Sequence, residues 1–257
     1  MSLNFATFLN EKIAHGDVPG VSNFLLTGYN GAITTTKETV WDDSTVYTFR
    51  STAVSTMKVS SSDANDTSAG TGARTVTVTG VDGSYVTVSE VVTLNGQTGV
   101  ATTNTYLSIN SLSVTTAGSG GVNAGVIYVG TGTITAGVPA VPDATIAIGR
   151  NVSTHGFYTV PSGKTLILKR LHCASRNVTA GGHELSLETI VNGGLLNIPH
   201  LWAFQNLDGL NLSFEQGYLV AEKTQLQFKL LASAGTGPAT LFAQGFLITN
   251  ANKEIFG

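Results

Sequence analysis

Charged side chains are the first shortage in this sequence. Asp, Glu, Lys and Arg together make up 11 % of its 257 residues, against about 25 % in an average soluble domain. A folded chain with so few charges must cover its surface with Ser, Thr, Asn and Gly, or turn part of it against neighbours. Neutral β surfaces suit assembly, because long charged side chains lose more rotamer entropy when an interface orders them. Lys and Arg are scattered singly and the formal net charge is −3. Without a basic stripe to neutralise phosphates, no nucleic-acid partner is expected. No apolar run approaches the roughly 20 residues of a spanning helix, so no membrane partner is expected either. The opening Met1-Ser2-Leu3-Asn4-Phe5 lacks the basic-then-apolar order of an export signal, which leads to the expectation that the chain is made in the cytosol without export. Cys173 is the single cysteine. An internal disulfide is therefore excluded, and stability is left to packing and association.

Helical spacing is confined to the start of the chain. Leu3, Phe5, Phe8, Leu9 and Ile13 predict a helix over about residues 3–15, stopped by Gly16-Asp17-Val18-Pro19-Gly20. A helix this short is marginal in water and needs something to dock on. Phe5, Phe8 and Leu9 are the candidate interface residues, packing on a neighbouring subunit or folding back over the end of their own sandwich.

The rest reads as short strands between turn signals. Arg74-Thr75-Val76-Thr77-Val78-Thr79 alternates apolar and hydroxyl residues, with Val toward a core and Thr toward solvent or a partner. Gly80-Val81-Asp82-Gly83 and a return strand over Tyr85 to Leu94 complete a hairpin. Asn95-Gly96 and Asn192-Gly193-Gly194 are further turns. Late strands are expected at Glu184 to Val191, Leu195 to Phe204, Leu210 to Phe214, Gln225 to Leu231 and Ala239 to Ile248. Thr131 to Pro142 reads as a connection, because Pro139 and Pro142 disfavour a central strand. This pattern predicts an all-β fold, an antiparallel sandwich of jelly-roll type with a short N-terminal helix. The expected layout is an arm over 1–20, a first β domain over 21–135 and a second, jelly-roll-like domain over 143–257.

Four turn motifs occur in a familiar order: the loop from Asp63 through Ala69-Gly70-Thr71-Gly72-Ala73, then Glu90-Val91-Val92-Thr93-Leu94-Asn95-Gly96, then Ala117-Gly118-Ser119, and finally Thr159-Val160-Pro161-Ser162-Gly163-Lys164-Thr165. Over about Asp63 to Thr165 the chain resembles a family of virion structural proteins of tailed bacteriophages, marine and cyanobacterial ones among them. The resemblance implies a particle component, a capsid decoration or cement protein or alternatively a tail, adaptor or receptor-binding one, and no catalytic residue.

The residues that could carry chemistry do not form a motif. Ser68 to Ala73 lacks the Gly-Lys-Ser/Thr ending of a phosphate loop and leads into a strand. Asp63, Asp66, Asp82 and Glu90 match no calcium-loop spacing. Asp63 and Asp66 read as ordinary turn residues, replaceable by Asn with little loss. His15, His155, His172, His183 and His200 form no metal-binding pair, and no Gly-x-Ser-x-Gly elbow is present. Trp41, Tyr47, Phe49, Trp202, Phe204, Phe214 and Tyr218 read as core aromatics. No catalytic, cofactor or metal site is expected. The expected partners are copies of the chain itself, most naturally in a trimer, and a major capsid protein or other virion protein.

Overall fold

The computed structural model describes residues 11–43, 46–53, 56–177, 181–206 and 208–251. Its strands are β1 (Val21–Ile33), β2 (Glu38–Thr39), β3 (Lys58–Ser61), β4 (Ala73–Val81), β5 (Thr87–Thr93), β6 (Val100–Ala101), β7 (Ser108–Ala117) and β8 (Ile127–Thr135). They continue as β9 (Val138–Ile146), β10 (Phe157–Thr159), β11 (Lys164–Ser175), β12 (Gly182–Val191), β13 (Leu196–Gln205), β14 (Leu210–Val220), β15 (Thr224–Ala232) and β16 (Gly237–Thr249). The fold is nearly all β and every strand pair is antiparallel.

Two sheets form the base of the molecule, ordered β1-β16-β11-β14 and β10-β15-β12-β13, with β2 also on β15. β2 and β10 lie end to end along the same edge. Thr39 pairs with Lys229 and Phe157 with Gln227. Between them the Val40 N–H donates to the Phe228 carbonyl and the Phe228 N–H donates to that of Gly156. Counted as one strand, β2 and β10 make this an eight-stranded sandwich. Its sheets run first–eighth–third–sixth and second–seventh–fourth–fifth, which is the interlocked arrangement of a jelly roll. Leu168, Leu171 and Leu241 of one sheet pack against Leu185, Leu226 and Phe228 of the other in its core.

Everything from residue 42 to 154 is spliced into that edge strand. The two stems meet in a bridge between Trp41 and His155, and the Gly156 N–H donates to the Val40 carbonyl. β1 crosses so near this splice that a Cβ on Gly28 would run into the Val40 carbonyl oxygen. The insert is a smaller sandwich of sheets β6-β3-β8-β9 and β5-β4-β7, with its own core of Val59, Val76, Val78, Leu112, Ile127 and Val129.

This topology redraws the expected layout. Val21–Ile33 does not belong with the strands that follow it but pairs along its length with Gly237–Thr249. The stretch read as a connection is a hairpin: Ile127–Thr135 pairs with Val138–Ile146 around Ala136 and Gly137, both at positive φ. Pro139 and Pro142 are tolerated because β9 is an edge strand, paired on one side only. The β4–β5 hairpin and the turn at Asn192-Gly193, both residues at positive φ, are where the sequence put them.

Of the expected N-terminal helix, residues 11–15 are helical. Ile13 is buried against Val21 and Ile248, so this turn folds onto its own sandwich. Phe5, Phe8 and Leu9 lie outside the described residues.

An aromatic joint fastens insert to base. The Tyr47 ring lies face to face on Phe157 at 3.8 Å, and Trp41 and Phe49 meet the pair edge-on. Replacing Phe157 with Ala is expected to destabilise the protein by about 3–5 kcal/mol. Calorimetry should then resolve two transitions, one for each core. An unchanged single melt would show that the joint is dispensable.

Candidate functional site

The four motifs of the phage resemblance converge on structure, not chemistry. Asp66 is fully buried, and its carboxylate accepts four hydrogen bonds. Oδ1 takes the N–H groups of Ala73 and Ala124 at 2.6 and 2.8 Å; Oδ2 takes the Ser61 hydroxyl and the Gly125 N–H at 2.6 and 2.8 Å. The Gly96 N–H donates to the Asp66 carbonyl and the Gly118 N–H to that of Gly72. The carboxylate thus ties residues 61 and 73 to the loop around 124–125, and the Asp66 main-chain carbonyl adds the turn at Gly96. The fourth motif, the turn at Pro161, sits at the base of the insert, where the Ser162 N–H donates to the Tyr85 carbonyl.

The remaining acidic residues named from the sequence serve separate loops. Asp63 accepts the Asn65 N–H, Asp82 those of Ser84 and Val86, and Glu90 those of Thr103 and Asn104 together with the Tyr106 hydroxyl. Among the described residues no three His, Cys, Asp or Glu side chains gather as metal ligands would. The histidines are dispersed too. His155 stacks on Phe157 at the joint, His183 on Phe204 and His200 on Trp202. Cys173 is buried in the base core, and burial pushes its thiol up to about 12, which leaves it unreactive.

The informative surfaces are two sheet faces. In the insert, β4 turns Val76 and Val78 inward and Thr75, Thr77 and Thr79 outward, as the alternation predicts. The outward hydroxyls are paired across strands: Thr75 with Thr116 at 2.7 Å, Thr77 with Thr115 at 2.6 Å and Thr79 with Ser89 at 2.8 Å. Val91 and Thr93 of β5 and Ser113 of β7 continue this face by register. The side chains at these positions are all uncharged.

The second face is the outer side of the base sheet β10-β15-β12-β13. Over β15 and β12 it is polar and covered. Gln225 donates to the Arg50 carbonyl, Gln227 donates to Glu188 and accepts from Thr39, and Lys229 pairs with Glu188 at 2.9 Å. The segment around residues 47–50 lies across these groups, anchored by the bond from the Tyr47 N–H to the Thr39 hydroxyl and by the Arg50–Asp143 pair, bidentate at 2.6 Å. Over β13, among the described residues, Leu196, Ile198 and Leu201 are exposed. Sequence reasoning recognised these strands, but the layer above them depends on a segment more than 100 residues away and left no local signal.

No family model matches the sequence, and no curated protein matches it. Among solved structures the chain is similar to a protein of T=1 particles derived from infectious bursal virus. That match has 14 % identity and a TM-score of 0.26 over 91 % of this chain and 67 % of that one. It is also similar to the infectious bursal disease virus VP2 subviral particle, at 11 % identity and a TM-score of 0.25 over 96 % and 78 %. Similarity this slight bears on neither fold nor function, which rest on the strand order and side chains described above.

Two outcomes follow. Asp66→Asn turns one acceptor oxygen into a donor facing donors, so the small loss expected of a turn residue is replaced by a large one, about 1–3 kcal/mol for each N–H left unpaired. A melting temperature within a degree of the wild type would remove Asp66 from this role.

Burial also holds His155 down to about 4 and lowers His183, while an unfolded His titrates near 6.5. The unfolded chain therefore binds more protons over that interval. Stability is complete above about pH 6.5 and falls as pH drops toward about 4, by up to ~3 kcal/mol from His155. His155→Phe should flatten this part of a denaturation-against-pH curve; a curve identical to wild type would refute the assignment.

Proposed function

We propose that this chain is a non-enzymatic structural component of a tailed-phage virion, a decoration or cement protein that self-associates, as a trimer, and binds the major capsid protein lattice. The observation that carries the reading is the outward face of the β5-β4-β7 sheet. Its Thr, Ser and Val side chains are uncharged, and three pairs of its hydroxyls are already hydrogen-bonded to one another. Such a face loses little water and little side-chain entropy when a neighbour covers it, and it repels no like-charged copy. A jelly roll lifting this sheet on an insert suits a protein that lies on a lattice and presents a second surface beyond it. The order of the four turn motifs supports the same reading.

Phe5, Phe8 and Leu9 are assigned a contact with a neighbour. In sequence they precede the helical turn whose Ile13 docks on the base.

The test is sedimentation of the chain, free and extracted from particles, with copy number counted on intact particles. Association at micromolar concentration and hundreds of copies per particle are expected. Monomer in both preparations overturns the reading, and a copy number of a few threes or sixes moves the protein to the tail. Removing residues 1–10, which spares Ile13, should leave the melting temperature nearly unchanged while weakening association.

A further inference from the structure

The base sheet is built inside out for a monomer. On its outer side Gln225 and Gln227 of β15 and Glu188 of β12 are buried and Lys229 is half-buried, with Gln225 bonded to the insert at Arg50. The aliphatic groups at its margin are left in water. Leu195 is 85 % exposed, Leu201 56 %, Leu196 52 %, Ile198 49 % and Val191 48 %. Register places Leu196 and Leu201 opposite Ile190 and Ser186, the outward residues of β12. Leu195 in the turn and Leu196, Ile198 and Leu201 on β13 make an exposed apolar strip, which a monomer has no reason to keep.

We propose that this strip, the outer edge of β13 with the β12–β13 turn, is a face through which the chain binds a second copy of itself. This rests on the self-associating reading above and names the surface that performs it.

Charge selects the occupant. From Leu195 to Gln205 there is no Asp, Glu, Lys or Arg, so two copies can meet here without bringing like charges together, and a partner chosen by charge finds nothing to recognise. The strand itself specifies the mode of contact. β13 is an edge strand, but Pro199 removes an N–H from its middle and the β12 pairing is irregular between Leu187 and Thr189. Both features obstruct addition of another strand. The copies therefore meet by side-chain packing, not by continuing the sheet.

The test is Leu196→Asp with Leu201→Asp in the full chain, read by sedimentation against wild type. Both side chains already face water, so the fold and melting temperature should be retained, and association should weaken at least about 100-fold. A second measurement does not depend on that variant. Because Cys173 is buried, Leu195→Cys carries a single reactive thiol. Its modification by a maleimide should slow severalfold between dilute, dissociated protein and concentrated, associated protein. If wild type associates while the double variant associates equally and the thiol stays equally reactive, the strip is not the interface, and the virion reading survives through another face. If wild type is monomeric both free and from particles, both readings fail together.

Discussion

The structure depends on one strand made of two pieces. β15 is the seventh strand of the jelly roll and needs a partner on its outer edge; without one, its N–H and carbonyl groups would be left unsatisfied beneath the insert. β2 and β10 supply that partner in turn, with Phe228 bonded to Val40 on one side of the splice and Gly156 on the other. Because the ladder barely breaks, more than 100 residues can leave and return without opening the base. The stems emerge close enough to pair through Trp41 and His155. From this follow the position of the aromatic joint, the placing of residues 47–50 over the polar face, and the need for Gly28 beneath.

Polar groups hold what the hydrophobic cores cannot. Asp66 joins the loops of the insert through its buried carboxylate and its main-chain carbonyl, and the Arg50–Asp143 pair fixes the segment that covers the base. Each binds several backbone or charged donors at once, so each is strong when complete and costly when broken. The motifs that resemble those of phage virion proteins are of this kind. Their residue types are required by loop geometry: a carboxylate aimed at N–H groups, and glycines where chains touch backbone to backbone.

Function follows from how the faces are distributed. His155 and Cys173 are displaced by burial alone, and three pairs of hydroxyls on the outward sheet of the insert are bonded to one another. The apolar strip on β13 and the neutral face on β4 lie on different sandwiches, so one chain can meet two different neighbours. Assembly through uncharged faces is also consistent with a chain that has so little charge anywhere.

The sequence by itself determined much of the local structure: strand alternation in Arg74–Thr79 and the turns at Asn192-Gly193 and Gly163. That Pro139 and Pro142 sit on an edge strand and not in a connection came from the pairing of β8 with β9. The sequence also determined the all-β class and the scarcity of charge that points to assembly. These are legible because side-chain alternation and positive φ act within a few residues. It did not determine which strands share a sheet. Val21–Ile33 looks like any amphipathic strand, and its pairing with Gly237–Thr249 is fixed only when the whole base closes. Nor could it show that Asp66 is buried, since an Asp in a Gly-rich stretch reads as a turn until the loops around residues 96 and 124 arrive to donate to it. The covered polar face and the bare apolar strip belong to one sheet and differ only in what the insert reaches. Burial is a property of the packed chain, and tertiary structure alone decided it.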